Sequence, residues 1–260
     1  MSVSELTYDR HDPRREVSAQ NPWYTASQFD VHFSNPSYKA GVERRWRLFG
    51  DLISDWAADQ DTSDSPHRVL DAGCGDGINL MGLGKLDTPC RLHGLDYNSL
   101  RLGRASSLSS VDGLTQGSAV ELPYRDNSFD IILCSQVLEH ISDAGSAVSE
   151  FRRILRPGGL MILAVPNEGC LLARLRNRVL QPSISRKTDH VNFYTAGSFS
   201  QGVSDTGCSV NRIEREGFFY PHLRLHVFIG STQWGRKLSE TLQHILPSQA
   251  AGIILACSPE

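Results

Sequence analysis

The stretch Val69-Leu70-Asp71-Ala72-Gly73-Cys74-Gly75-Asp76-Gly77 restricts this chain more than any other. Its three alternate glycines follow a short apolar run and lead into a segment of helical spacing. Glycine accepts positive φ and carries no Cβ, so a strand can turn sharply into a helix and a ligand can approach the bare backbone. A buried strand, a glycine turn and a helix form the opening unit of an open α/β sheet. The spacing is G-x-G-x-G, not the G-x-G-x-x-G that cradles a pyrophosphate. An acidic residue, Asp71, also stands just before the first glycine. A carboxylate there repels a pyrophosphate and suits a cationic ligand.

The rest of the chain supports the same fold class. Apolar runs at residues 68–72, 91–96, 129–134 and 160–166 read as strands, with a weaker one at 114–118. Helical spacing fills 77–85, 99–108 and 144–155, the last carrying Ala147, Phe151 and Ile154 on one face. This alternation predicts a doubly wound, mostly parallel sheet with helices on both faces. Two later strands are expected at 209–216 and 252–257. Before the first strand, Val42, Trp46, Phe49, Leu52, Ile53 and Trp56 mark a helix starting at Tyr38, and residues 1–37 read as an irregular extension. The chain thus divides into an N-terminal extension with a cap helix (1–60) and an α/β domain (61–260), with an aromatic insert at 218–246.

Composition narrows the partners. The formal net charge of −3 over 260 residues argues against bulk attraction to nucleic acid, although Arg174, Arg176 and Arg178 form a local basic stretch. The six cysteines form no C-x-x-C pair, and several sit inside apolar runs, as buried thiols in a reducing compartment do. The first residues are polar, and no apolar run reaches the roughly 18 to 20 residues that span a bilayer. A soluble, cytoplasmic protein is expected. The oligomeric state is left open.

The second strand ends in His93-Gly94-Leu95-Asp96, its acid 25 positions beyond Asp71. A carboxylate at this point can accept both hydroxyls of a ribose. A cationic, ribose-bearing ligand favours S-adenosylmethionine over NAD.

Later segments give this reading a family. The run Gly117-Ser118-Ala119-Val120-Glu121-Leu122-Pro123, ending in Phe129-Asp130, the segment Ser135-Gln136-Val137-Leu138-Glu139-His140-Ile141, and the turn Leu155-Arg156-Pro157-Gly158-Gly159 follow the glycine motif in order. Together they resemble the class I S-adenosylmethionine-dependent methyltransferases, especially the quinone-biosynthesis and small-molecule group. The resemblance covers about residues 65–217. It implies a seven-stranded Rossmann-like sheet whose last strand is antiparallel. It also places Gly73 and Gly75 against the methionine part of the cofactor, Asp96 on the ribose, and Ser118 and Ala119 beside the adenine. Asp71 and Ser135 complete the expected cofactor set. Serine at 118 departs from the family's usual aspartate; its hydroxyl can still accept a hydrogen bond.

Methyl transfer to a hydroxyl needs alignment of the acceptor and removal of its proton. His140, just after the fourth strand, is the expected base. The downstream run Thr188-Asp189-His190-Val191-Asn192-Phe193-Tyr194-Thr195 resembles a histidine segment of ubiquinone-type O-methyltransferases and of small-RNA 2′-O-methyltransferases. In the RNA enzymes a Glu-x-x-Glu-His motif joins that histidine to hold a divalent metal. Glu139, His140 and His190 match, but Gln136 replaces the first glutamate, and an amide oxygen is a poorer ligand for a hard cation. The expectation is therefore no resident metal, with Glu139 and His190 orienting His140 or the substrate. The expected reaction is O-methylation of a sugar, lipid-linked, phenolic or quinone-like small molecule. RNA 2′-O-methylation with a metal and a catalytically silent partner subunit are the alternatives. The insert reads as a lid, as packing against the Trp46/Trp56 helix, or as a peripheral membrane contact.

Overall fold

The computed structural model describes residues 26–60, 65–185 and 189–260. Ser27 opens helix α1 (Gln28–Ser34) by accepting from the Asp30 amide. Asn35 ends α1 and caps α2 (Pro36–Ala58), accepting from the Ser37 and Tyr38 amides with Pro36 at the first turn. These are favoured residues at helix starts. Among the described residues, helical structure therefore begins at Gln28 and not at Tyr38; the part of the expected irregular extension before residue 26 lies outside the described residues.

The alternating units follow: β1 (His67–Ala72), α3 (Ile78–Leu83), β2 (Cys90–Asp96), α4 (Ser99–Ala105), β3 (Val111–Gln116), β4 (Phe129–Ser135), α5 (Ala144–Ile154) and β5 (Leu155–Pro166). Short helical turns occupy parts of 171–185. Then come α6 (Ala196–Ser204), β6 (Cys208–Phe218), α7 (Leu223–Ser231), α8 (Gln233–Ile245) and β7 (Ala250–Pro259). The seven strands lie in the order β3-β2-β1-β4-β5-β7-β6. β7 runs antiparallel to both neighbours and the other pairings are parallel. The chain winds outward from β1 to β3 and returns to β4 beside β1, so the crevice between β1 and β4 is the place where such sheets bind ligands.

Four strands differ by more than one residue from their expected bounds. β3 starts at Val111, paired with Leu92, because a half-buried edge strand carries polar residues and shows little apolar signal. β5 begins at Leu155 and runs through the glycine turn, where Gly158 takes φ +72°. β6 and β7 extend one another from Cys208 opposite Pro259 to Phe218 opposite Ala250.

Strand alternation supplies two cores. Leu70, Ile132, Cys134, Met161 and Leu163 meet Phe151 and Ile154 of α5 and Phe199 of α6. Val69, Leu92, Ile131, Leu133 and Ile162 face Phe49, Leu52 and Ile53 of α2 with Leu80 of α3. Burying each such side chain contributes about 1.5–3 kcal/mol. α2 is therefore part of the core: a Cβ on Gly82 would sit 2.5 Å from the Trp46 indole, and Trp56 Nε1 donates to Gly158 O at 2.9 Å. The insert forms α7 and α8. α7 reaches the first turn of α2, where a Cβ on Gly230 would lie 2.5 Å from Ser37 Oγ. Phe228, Trp234 and Ile245 stay about two-thirds exposed. Among the described residues, no helix is long and apolar enough to cross a membrane. All six cysteines are free, and only Cys90 is not fully buried.

Candidate active site

β1 and β2 remain paired to their ends, and the Gly73 and Cys74 amides both donate to Leu95 O, at 2.7 and 3.0 Å. The chain then turns through Gly73, Gly75 and Gly77 at φ +84°, +53° and +89°, where a Cβ is strained. A Cβ on Gly73 would collide with Val137, and one on Gly75 would lie 2.9 Å from Gln28 Oε1. The Gly75 amide donates to Asp96 Oδ2 and the Asn98 amide to Oδ1, each at 2.8 Å. This fixes a carboxylate that is 6% exposed while leaving lone pairs on both oxygens. Gly117 N donates to Asp96 O at 3.1 Å and ties the Ser118-Ala119 turn to the end of β2. Ser118 Oγ accepts from Val120 N, and Ala119 packs on the core. Ser135 closes β4 beside Ala164.

Asp71 is wholly buried, and both of its oxygens lack a hydrogen bond of good geometry. Burial, then the charge of Asp96, push its carboxyl up to about 8, and the Asn79 side chain offsets only part of this. An orphaned acid of this kind fits a ligand that brings its own positive charge. Asp76 is also wholly buried, but is surrounded: Gln28 N donates to it at 2.7 Å, and Arg101 and Arg104 lie 3.6 and 3.4 Å away. Asp76 N donates in turn to Gln28 Oε1 at 3.3 Å. Helix α1 thus rests on the glycine loop. The sequence reading missed Gln28, Arg101 and Arg104; the i, i+3 spacing of the two arginines on α4 was the available signal.

Past β4 the backbone takes an uncommon conformation at Gln136, φ +60°, and Gln136 N donates to Ala164 O. Val137 then packs under Gly73, and Leu138–His140 make a 3₁₀ turn. The segment bearing His190 is clamped onto this turn. The Val191 and Asn192 amides donate to Glu139 O at 2.8 and 3.1 Å, and the Asn192 side chain donates to Leu138 O and Ile141 O. The rings of His140 and His190 consequently meet edge to face with centroids 4.7 Å apart. His140 Nδ1 lies 2.9 Å from Asp189 Oδ1, and Nε2 lies 3.9 Å from Glu139 Oε1. His190 Nδ1 sits 2.7 Å from Glu168 Oε2, whose other oxygen accepts from Arg176.

The structure therefore brings Glu139, His140 and His190 together, with one ligand atom from each within 4.8 Å of the others. Burial raises the Glu139 carboxyl, with His140 working against the rise. Burial opposes the charge of His190, but the hydrogen bond and charge of Glu168 outweigh it and raise the imidazole. Glu168 was not anticipated; the signal was a carboxylate two residues past Pro166, at the edge of the sheet where ligands bind. With Asp189 against its Nδ1, His140 offers Nε2 as a proton acceptor. Two imidazoles and one carboxylate, each imidazole backed by another acid, also form a donor set suited to a borderline divalent cation.

Comparison with known proteins bears on the family. A family model described as a methyltransferase domain matches residues 70–163. The ubiquinone biosynthesis O-methyltransferase of Methylococcus capsulatus is 30% identical over 166 residues, covering 60% of this chain and 69% of that protein. A probable S-adenosylmethionine-dependent methyltransferase of Mycolicibacterium smegmatis is 36% identical over 99 residues, covering 38% of each. Several curated relatives are spanned only over 26% to 44% of their own length. Among solved structures, the complex of the Haloferax volcanii Trm112 methyltransferase activator with its methyltransferase matches over 83% of this chain and 94% of that chain, with TM-score 0.57 and 19% identity, a likeness of fold. The chain belongs to the class I S-adenosylmethionine-dependent methyltransferases. S-adenosylmethionine is the cofactor this membership implies.

Proposed function

We propose that this protein transfers a methyl group from S-adenosylmethionine to a hydroxyl of a small molecule, with His140 as the base. The observation carrying the reading is the position of His140: Asp189 lies against its Nδ1, and the Gly73–Val137 packing links its turn to the glycine loop. The bound cofactor supplies a methyl group on a sulfonium that is already a good leaving group. Asp71 would balance the cofactor's positive charge, Gly73 and Gly75 would let it lie against the backbone, and Asp96 would accept from the ribose hydroxyls. Ser118, Ala119 and Ser135 border it. His140 would take the acceptor's proton at Nε2. Glu139 and His190 hold the acceptor and the imidazole in register, and Glu168 and Arg176 fix His190 from behind. A small acceptor agrees with the relative named for ubiquinone biosynthesis.

Transfer of a radiolabelled methyl group to phenolic, sugar and lipid-linked alcohols tests this reading. A label that survives base as an ether is the expected product; a base-labile ester, or label on nitrogen, would overturn it. A second reading, RNA 2′-O-methylation with a divalent cation, is favoured by the clustering of Glu139, His140 and His190. Metal analysis and RNA methylation before and after EDTA treatment separate the two. Titration with S-adenosylmethionine addresses the catalytically silent subunit, which would give no saturable heat.

A further inference from the structure

Beside the turn that bears His140 lies a cavity of about 370 Å³ whose lining residues have no role in the mechanism above. Ligand pockets range over roughly 300–1,000 Å³, so it has room for a small ring with substituents. It stretches along the carboxyl edge of the sheet from Gln136, just past β4, to Glu216 near the end of β6. α2 contributes Tyr38, Arg44 and Arg45 to the wall, and α8 contributes Arg236. Gln136 in its wall immediately precedes Val137, which packs against Gly73 of the glycine loop, so the cavity adjoins the cofactor crevice.

Its charges are poorly matched from within. The side chains of Arg45 and Glu216 are 18% and 14% exposed and lie 3.8 Å apart, beyond hydrogen-bond distance. Among the described residues, neither side chain makes a hydrogen bond. A guanidinium has five donors, and burying such a pair is costly unless further partners complete it. Arg44 reaches Glu240 at the rim, 3.3 Å away, and Arg236 spends one donor on Gly230 O. Three guanidinium groups thus face a walled space with one carboxylate inside it. The flat fork of arginine matches a carboxylate or phosphate in a way a point charge does not.

We propose that this cavity holds the methyl acceptor and selects one bearing a carboxylate or phosphate, with Arg45, Arg44 and Arg236 on the anion and Glu216 accepting from a hydroxyl or ammonium of the same molecule. The word acceptor rests on the methyl-transfer reading; the preference for an anion does not. The proposal narrows the acceptor to an acid, which neutral sugars and simple phenols are not.

Calorimetry on the full chain saturated with S-adenosylhomocysteine tests it without requiring turnover. Catechol, 3,4-dihydroxybenzoate and phenyl phosphate are titrated in parallel. The expected result is at least tenfold tighter binding of one or both anions than of catechol, the tighter anion telling carboxylate from phosphate. Arg45→Gln and, independently, Arg236→Gln should abolish that preference while melting near the wild-type temperature and keeping affinity for S-adenosylhomocysteine. Equal binding of all three compounds, no saturable binding by any, or a preference that survives both substitutions overturns the proposal. Failure of S-adenosylhomocysteine to bind would count against the methyl-transfer reading alone, and the same titrations on the unliganded chain would still decide the preference for an anion.

Discussion

Asp71→Asn keeps the shape of the side chain and removes its titration. In the ligand-free protein the Asp71 carboxyl is pushed up to about 8 by burial and by Asp96. A bound cation interacts with the ionised form, so cofactor binding must bear the cost of ionising Asp71 wherever the pH lies below 8. One pKa unit corresponds to about 1.4 kcal/mol, so that cost is about 1.4 kcal/mol at pH 7 and about 2.7 kcal/mol at pH 6. Affinity should rise about tenfold from pH 6 to 7 and about fivefold from pH 7 to 8, then level off. Nearly one proton should leave per cofactor bound at pH 6. The cofactor's own amino group titrates in the same region, but equally with either protein, so the difference between wild type and Asp71→Asn isolates the aspartate. Calorimetry at pH 6, 7 and 8, in buffers of different ionisation enthalpy, reads affinity and proton count together. Identical pH slopes for the two proteins would refute the reasoning. The sign for stability follows from the same shift. The folded carboxyl holds its proton above the unfolded value of about 3.9, so the native state binds the extra proton and its stability falls as pH rises from about 4 to about 8. Without cofactor, Asp71→Asn should therefore gain in melting temperature over wild type as pH rises through that window.

Three further outcomes are expected. Asp96→Ala should weaken S-adenosylmethionine binding by about 1.5–3 kcal/mol, seen by calorimetry, because charged hydrogen bonds are lost and the Gly75 amide loses its acceptor. His140→Ala should lower turnover by about 10²–10⁴ with cofactor affinity little changed; full turnover in a methyl-transfer assay would remove it as base. Gly73→Ala should lower the melting temperature, since left-handed backbone costs a non-glycine residue about 1–2 kcal/mol and the new Cβ meets Val137. Adding Val137→Ala should restore part of the loss, and strict additivity in that double-mutant cycle would show that the two positions do not touch.

What was legible in the chain had a local physical cause. The glycines at 73, 75 and 77 could be read because only a turn of positive φ needs them, and β4 and β5 because strands covered on both faces carry continuous apolar runs. His140 and His190 could be named from their segments, but what brings them together is the backbone of Glu139 accepting from Val191 and Asn192, which composition does not reveal. Glu168 and Arg176 became visible only through their contacts with His190. α1 was overlooked because it is short and buries little apolar surface; only its caps, Ser27 and Asn35, mark it. β3 was misplaced because an edge strand alternates polar with half-buried residues. The cavity around Arg45 and Glu216 draws on α2, the turn after β4, β6 and α8, and no sequence window spans those elements.

The seat of Gln28 on the glycine loop means that the loop is bordered by a segment from outside the α/β sheet. A Cβ on Gly75 would lie 2.9 Å from Gln28 Oε1, so a molecule laid along Gly75 would meet this glutamine as well as the loop that Gln28 and Asp76 hold together.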